Sequence, residues 1–272
     1  MRLALYQAVP GPRDVPGNLA RLGARLAEAA AAGADLLLTP EMFLTGYDIG
    51  PDDARALAEP VDGAMFRSVA ALAVQHGVAV LYGYPERLGE NVFNAVQLVG
   101  SDGVSVLNYR KTHLFGELDR SMFTAADQVS PVVGLDRWKV AALICYDVEF
   151  PENVRELALA DADVVLVPTA NMVPYDFVAS TVVPTRAYEN QVFLAYANYV
   201  GAEGDLTYCG LSCVISPDGA ELARGGREEQ LLIADLDAAA QERSREETPY
   251  LTDRRPELYP DLSAERDRDT SA

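Results

Sequence analysis

The chain has 272 residues and is 49% hydrophobic, which is enough to bury a substantial core in one large domain or two small ones, and we expect one. Its 22 basic and 41 acidic residues give a formal charge of −19, which argues against nucleic acid and anionic membranes as partners and is compatible with a cationic small-molecule ligand. No run approaches the ~18 apolar residues of a membrane span, and the N-terminus MRLALYQAVPG is too short and too polar for a secretory signal.

The number and spacing of the cysteines and histidines argue against several further classes of protein. The three cysteines, Cys145, Cys209 and Cys213, form no CxxC pair and no disulfide-framework spacing, which favours a reducing compartment and predicts a cytoplasmic protein. The two histidines, His76 and His113, are far apart in sequence and lack partners at metal-ligand spacing. A zinc site or a Ser-His-Asp hydrolase is therefore not expected.

The first half of the chain predicts alternating strands and helices. Residues 2–8 alternate in polarity and predict a strand, after which Asn18 is placed to cap a helix that ends at Gly33. The next strand, ADLLLTP, delivers Glu41 to its carboxyl end, where open α/β folds place their sites. Further predicted elements are helices at 51–59 and 63–76, then strands VAVLYGYPE, VFNAVQLVG and VSVLNYRKTHLF, the last two joined by a turn at 101–103.

The second half centres on residues 138–144, a nearly uninterrupted hydrophobic run that predicts a strand buried on both faces. Pro151 then opens a helix to about residue 160, so Cys145 lies where a strand crosses to a helix. At such a crossing helix amides lower a thiol's pKa, and the backbone N–H of Tyr146 is placed to bind an oxyanion. Further predicted elements are a strand DVVLVPT, a helix at 176–191 broken near Pro184, and strands VFLAYANYV, YCGLSCVIS and EQLLIADL.

Hairpin and crossover signals occur together, and the strands are too many for one parallel sheet. We therefore predict an α/β fold of two mixed sheets with helices outside. Residues 1–240 form the predicted domain. Residues 241–272 form a C-terminal arm and acidic tail, in which TPYLTDRRPELYP suggests an extended, docking segment.

Three ionisable residues, Glu41, Lys111 and Cys145, each end an apolar strand. A carboxylate can take a thiol's proton, an ammonium can stabilise a thiolate and an oxyanion, and the thiol can attack carbon. Together they supply a nucleophile, a base and an electrostatic clamp without a histidine. We expect His113, close after Lys111, to orient its neighbours rather than to act as the base.

The phrases TPEMFLTGY, YRKTHLF and ICYDVEFPE, in this order, resemble the three signatures of the nitrilase superfamily of carbon–nitrogen hydrolases, and the resemblance spans nearly the whole chain. It implies an α-β-β-α sandwich, a Glu41-Lys111-Cys145 triad, a homodimer or higher homo-oligomer, and no metal or organic cofactor. A closer resemblance, carried by CYDVEFPENVRELALA, VPTANMVPY and DRRPELY among other stretches, is to the 5-aminopentanamidase branch of lysine breakdown.

Superfamily members typically carry a fourth acid that orients the lysine, and Asp119 is the best-placed residue for it, with Glu117 just before. An aspartate here is shorter than the usual glutamate. For the substrate's tail, the predicted contacts are Tyr47, Glu149, Asn171, Tyr175 and Asp176, with Tyr146 and Tyr208 as further members of an aromatic wall.

The predicted function is cysteine-dependent hydrolysis of a small primary amide, through a thioester, to the acid and ammonia. The expected substrate is an ω-amino or ω-guanidino amide such as 5-aminopentanamide or 4-guanidinobutanamide. An ω-amidase acting on dicarboxylate monoamides is the runner-up, for which Arg186 would bind the carboxylate. A catalytically silent binding module on the same fold is the alternative from another class, and retention of all three triad residues argues against it.

Overall fold

The computed structural model describes residues 1–259 of the chain. The helices in this part are α1 (Val15–Ala31), α2 (Pro51–Leu57), α3 (Ala64–His76), α4 (Gly116–Met122), α5 (Pro151–Leu159), α6 (Val183–Asn190), α7 (Ala238–Glu247) and α8 (Tyr250–Asp253). The strands are β1 (Arg2–Gln7), β2 (Leu36–Leu38), β3 (Ala79–Leu88), β4 (Asn91–Val99), β5 (Ser105–Arg110), β6 (Val133–Leu135), β7 (Trp138–Ala142), β8 (Val164–Pro168), β9 (Phe193–Ala197), β10 (Val200–Glu203), β11 (Leu206–Cys209), β12 (Cys213–Ile215), β13 (Glu221–Arg224) and β14 (Gln230–Asp235).

Two six-stranded mixed sheets form the centre of the molecule. Sheet one has the order β14-β1-β2-β3-β4-β5, with β1, β2 and β3 parallel and the other pairings antiparallel. Sheet two has the order β13-β12-β9-β8-β7-β6, with β7, β8 and β9 parallel. The predicted α-β-β-α sandwich of two mixed sheets is confirmed.

The core lies between and outside the two sheets. Leu5 and Leu81 of sheet one belong to the same buried cluster as Val140 and Val165 of sheet two, so the sheets share an apolar interior. On the outer side of sheet one, the buried stripe of α1 and the apolar face of α3 pack in a second cluster. Helices α5 and α6 complete the layers against sheet two. This packing holds the strand ends rigidly, which is what a catalytic site requires.

Two local predictions differ from the structure, and one observed helix was not predicted. Helix α1 is capped by Asp14, whose side chain accepts from Gly17 N at 2.9 Å, whereas Asn18 lies inside the helix. The amide of Asn18 is buried and donates to the carbonyls of Gly11 and Leu44, so its polar group serves a loop rather than a cap. The segment after residue 238 is helical in α7 and α8, not extended. The helix that was not predicted is α4.

The C-terminal end of the described chain packs against the rest of the same chain, next to α6. Gln191 donates to Thr248 O at 2.6 Å, and the Tyr250 ring packs edge-on against Tyr188 at 5.8 Å. Leu258 and Tyr259 stay more than half exposed. The remainder of the predicted acidic tail, 260–272, lies outside the described residues.

Within residues 1–259 no helix combines the length and the apolar character needed to cross a membrane.

Candidate active site

Glu41 lies in the turn that follows β2, against both sheets. Its backbone N–H donates to Thr169 O, just beyond β8, at 3.3 Å, which ties the end of sheet one to that of sheet two. The turn passes so close to β3 that a Cβ on Gly83 would lie 2.2 Å from Met42 N, so only glycine fits there. Met42 itself has a left-handed backbone, with φ +52°. The carboxylate of Glu41 is thus fixed by a backbone that has little room to move.

Lys111 immediately follows β5, and its side chain is fully buried. Its ammonium donates to Glu41 Oε1 at 2.7 Å and to Asp119 Oδ2 at 2.7 Å. Burial by itself would lower the pKa of Lys111, but the two adjacent carboxylates outweigh it and raise the pKa well above the usual range. The lysine therefore stays a cation and can stabilise negative charge on a substrate oxygen.

Cys145 follows β7 at the start of a tight 3-10 turn, Cys145–Glu149, and its side chain is 9% exposed. Its backbone is left-handed, with φ +48°, which is unfavourable for a residue with a side chain and is typical of functional sites. Asp147 holds the turn by accepting from Ile144 N at 3.0 Å. This geometry presents the thiol at the strand ends beside Glu41 and Lys111, whose charges both act on its pKa.

The pKa of the Cys145 thiol is raised well above its usual range, first by burial and then by the Glu41 charge. Lys111, the Thr169 hydroxyl and the Ala170 backbone oppose this rise without cancelling it. The predicted lowering of this pKa by helix amides is wrong, because burial and the Glu41 charge outweigh every cause that lowers it. A neutral thiol needs a base to become a nucleophile, and Glu41 is the neighbouring carboxylate.

Asp119, on α4, occupies the place predicted for the fourth acid. Its buried carboxylate accepts from Lys111, from Phe115 N at 2.8 Å and from the Tyr47 hydroxyl at 2.9 Å. The short side chain reaches the ammonium because α4 brings its backbone close. Glu117, the other candidate, is exposed. Tyr47 is completely buried and supports Asp119, a different place from the substrate wall predicted for it.

His113 and Asp147 join the lysine loop to the cysteine turn. Asp147 is buried and accepts from the Tyr109 hydroxyl at 2.9 Å, from the Thr112 hydroxyl at 3.0 Å and from His113 N at 2.9 Å. The His113 ring stacks on Phe150 at 4.0 Å, with Nδ1 3.0 Å from Asp147. His113 therefore packs and orients, as its position in the sequence indicated.

The predicted tail contacts divide into two groups. Asp176 forms an ion pair with Arg227, and Asn171 is 5% exposed, with its amide donating to Tyr175 O at 3.0 Å. Tyr208, from the aromatic wall, is buried and donates to Glu203 at 2.5 Å. These side chains serve the scaffold.

The other group, Tyr146, Tyr175 and Glu149, is at least partly exposed. Tyr146 and Tyr175 both pack edge-on against Phe115, at 5.4 and 5.8 Å, and Tyr175 is 46% exposed. Glu149 is half-buried, and its carboxylate has no hydrogen-bond or ion-pair partner within residues 1–259. Burial raises its pKa against the opposing charges of Lys111 and Arg186, and it ends the 3-10 turn that begins at Cys145.

Three residues of the site were not singled out from sequence: Gly83, Asn94 and Asp147. Asn94 donates to Glu41 Oε1 at 2.6 Å from the middle of β4. Its only sequence signal was a polar residue inside the apolar strand VFNAVQLV. Among the described residues, no cluster of three or more histidines, cysteines or acids is arranged to hold a metal ion.

Comparisons with known proteins agree with this geometry. The carbon-nitrogen hydrolase family model matches residues 2–245. A protein described as a hydrolase in the pqqF 5' region of Pseudomonas protegens is 54% identical over 97% of this chain and 92% of its own. A 2-oxoglutaramate amidase of Bacillus subtilis is 33% identical over 85% of this chain and 89% of its own.

A solved structure also matches. A C145A mutant of the Nesterenkonia AN1 amidase from the nitrilase superfamily superimposes with a TM-score of 0.83 at 34% identity, covering 95% of each chain. An E41Q mutant of that amidase shows acrylamide added at the active-site cysteine. The fold and the kind of chemistry are thus shared with enzymes that act on amides.

Proposed function

This chain belongs to the carbon–nitrogen hydrolase family as an amidase of the nitrilase superfamily, and we propose that it hydrolyses a small primary amide with a cationic tail through a thioester on Cys145. The observation that carries the amide chemistry is the buried contact of Lys111 with Glu41 and Asp119 at 2.7 Å, near the Cys145 thiol, whose pKa is raised. This arrangement provides a base, a fixed cation and a nucleophile at one point.

Acylation begins when Glu41 removes the thiol proton as the sulfur of Cys145 attacks the amide carbon. The C=O bond opens to an oxyanion, which the Lys111 ammonium and the backbone N–H of Tyr146 stabilise. The C–N bond then breaks, and Glu41 returns the proton to the leaving nitrogen, which departs as ammonia. Burial raises the pKa of Glu41 against the opposing Lys111 charge, which suits a group that must both take and give a proton near neutral pH.

Deacylation repeats the same steps with water. Glu41 takes a proton from the water as its oxygen attacks the thioester carbon, the same two donors hold the oxyanion, and the C–S bond breaks. The proton passes from Glu41 to the departing sulfur, so the free acid leaves and the resting thiol is restored. Asp119 keeps Lys111 oriented throughout. One oxygen of its carboxylate accepts from the Lys111 ammonium, and the other accepts from the Tyr47 hydroxyl, which holds the carboxylate in place.

The carboxylate of Glu149 is the main argument for a substrate whose tail is cationic. It is a half-buried carboxylate in the same 3-10 turn as Cys145 and, within residues 1–259, has no hydrogen-bond or ion-pair partner. A substrate ammonium or guanidinium would supply that partner, with the exposed ring of Tyr175 as an apolar neighbour for the tail. Both 5-aminopentanamide and 4-guanidinobutanamide meet these requirements.

An ω-amidase activity, as in the Bacillus relative named for 2-oxoglutaramate, requires a cation for the substrate carboxylate. Arg186 does not fit this role, because its guanidinium donates to the carbonyls of Val148 and Glu149 and pairs with Glu189. Glu149 would also repel a carboxylate. The cationic substrate is therefore the better match.

The test is a comparison of kcat/KM across three amides of similar length: 5-aminopentanamide, pentanamide and glutaramate. The cation should exceed the neutral amide by on the order of 2 kcal/mol, or about thirtyfold, with the anion slowest. Glu149→Gln should remove most of this preference while leaving pentanamide hydrolysis near the original rate. Asp176→Asn is the matched control, since its carboxylate already pairs with Arg227. Fastest hydrolysis of glutaramate would replace this proposal with the ω-amidase.

We also propose the homodimer. Leu258 and Tyr259 are exposed apolar side chains at the end of the described chain, and a second copy would cover them. Deleting the residues after 247 should weaken self-association, measured by sedimentation velocity at micromolar concentration. A fully active monomer of the intact chain in that measurement would contradict the proposal.

A further inference from the structure

The two oxygens of the Glu41 carboxylate have different surroundings. Oε1 accepts from Lys111 Nζ at 2.7 Å and from Asn94 Nδ2 at 2.6 Å. Oε2 is buried and has no hydrogen-bond partner among the described residues. A buried carboxylate oxygen without a donor is unfavourable and marks a place where a proton or a reactant binds.

Asn94 is unusually well placed to hold this carboxylate. It is completely buried in β4, between β3 and β5, and its backbone carbonyl oxygen accepts from Lys111 N at 2.8 Å. One residue therefore binds the backbone of the triad lysine and the side chain of the triad glutamate. Because β4 is paired on both sides, its position is fixed by two ladders of hydrogen bonds.

We propose that Asn94 is a positioning residue that commits Glu41 Oε1 to hydrogen bonding, so that Oε2 is the atom that carries the proton in both half-reactions. This inference rests on the proposed function. An sp² oxygen has two lone pairs, and the two donors occupy both of those on Oε1. A proton on Oε1 would displace one donor, whereas a proton on Oε2 displaces nothing.

In this proposal a single atom, Oε2 of Glu41, accepts the proton and returns it in each half-reaction. The S–H bond of Cys145 breaks as O–H forms on Oε2 and sulfur bonds to carbon, and the same proton later leaves Oε2 for the departing nitrogen. Water repeats the cycle in deacylation. Without Asn94, the carboxylate of Glu41 can rotate about its last bond and present either oxygen, or neither, to the thiol.

The experiment compares Asn94→Leu, which keeps a similar volume but has no donor, with Gln97→Leu. Gln97 is a matched control, since it is also buried in β4 and its amide donates to Ser105 Oγ at 2.9 Å, outside the triad. With 5-aminopentanamide and with pentanamide, Asn94→Leu should lower kcat by about 30-fold or more, on the order of the loss of one preorganised donor. KM should change by less than about threefold, because Asn94 does not touch the substrate.

The pH profile of the variant is a second readout, which distinguishes loss of the Glu41 orientation from a general loss of structure. The hydrogen bond from Asn94 lowers the pKa of Glu41, so its removal should move the acid limb of the kcat/KM profile to higher pH. The other titratable groups that act on Glu41, or whose own pKa it shifts, are unchanged in the variant: Lys111, Asp119, Cys145, Tyr47, Tyr199 and Tyr208.

A reduced kcat with an acid limb at its original pH, or an unchanged kcat, would overturn the role of Asn94. If Asn94→Leu does not fold, Asn94→Ala gives the same two readouts with less steric demand. Full activity of Cys145→Ala would instead overturn the proposed function, so the two failures are distinguishable.

Discussion

Replacing Cys145 with alanine should abolish amide hydrolysis while leaving the fold intact. The substitution removes the sulfur that forms the thioester, and loss of the nucleophile in other covalent hydrolases lowers kcat by on the order of 10⁶-fold. We expect ammonia release from 5-aminopentanamide to fall by at least ~10⁴-fold. The lost volume is small, so the free energy of unfolding should change by only about 1 kcal/mol.

Cys213→Ala is the matched control for this variant. Cys213 is completely buried in β12, and burial raises its pKa to about 12, so its thiol is inert. The control should keep its activity. Ammonia release by Cys145→Ala at the rate of this control would show that the Cys145 thiol is not the nucleophile and that a different chemistry operates.

Glu41→Gln should stop the reaction before the thioester forms. Glutamine cannot accept the thiol proton, and the high pKa of Cys145 leaves almost no thiolate at neutral pH. Rapid mixing should therefore show no burst of ammonia, and intact-protein mass spectrometry should show no acyl adduct. We expect kcat to fall by at least ~10³-fold, since the same group acts in both half-reactions.

The control for this second variant is Glu86→Gln. Glu86 is also a buried glutamate in an ion pair, with Arg110 at 2.5 Å, but it lies outside the triad. It should lose stability without losing the burst. If Glu41→Gln instead accumulated a stable acyl-enzyme, Glu41 would act only in deacylation and another group would activate the thiol.

The convergence of Glu41, Lys111 and Cys145 could be predicted because each lies within three residues of the end of a strand. Glu41, Lys111 and Cys145 are polar residues at the ends of hydrophobic runs, and strand ends converge at one edge of a sheet. This local signal needs no knowledge of pairing. The fold class followed from the same runs, together with the hairpin turn at 101–103 and the crossover helices.

Asn94 and Asp119 show what local signals cannot supply. Asn94 meets Glu41 across 53 residues of sequence, and only the pairing of β4 with its neighbours brings them together. Asp119 could be suggested from the resemblance, but its hydrogen bond to Tyr47 spans 72 residues. The helix that presents it, α4, begins at Gly116 and is only seven residues long, which is too short for the periodic apolar pattern on which helix prediction depends.

The buried cluster of Glu41, Lys111 and Asp119 holds two carboxylates against one ammonium, a local charge of −1. A thiolate on Cys145 would be a further negative charge in a buried place beside Glu41, and burial first and the Glu41 charge second raise the pKa of this thiol. Oxidants such as peroxides react with thiolates far faster than with thiols. The burial and the adjacent carboxylate that make the cysteine dependent on a base should therefore also slow sulfenic acid formation on the resting thiol.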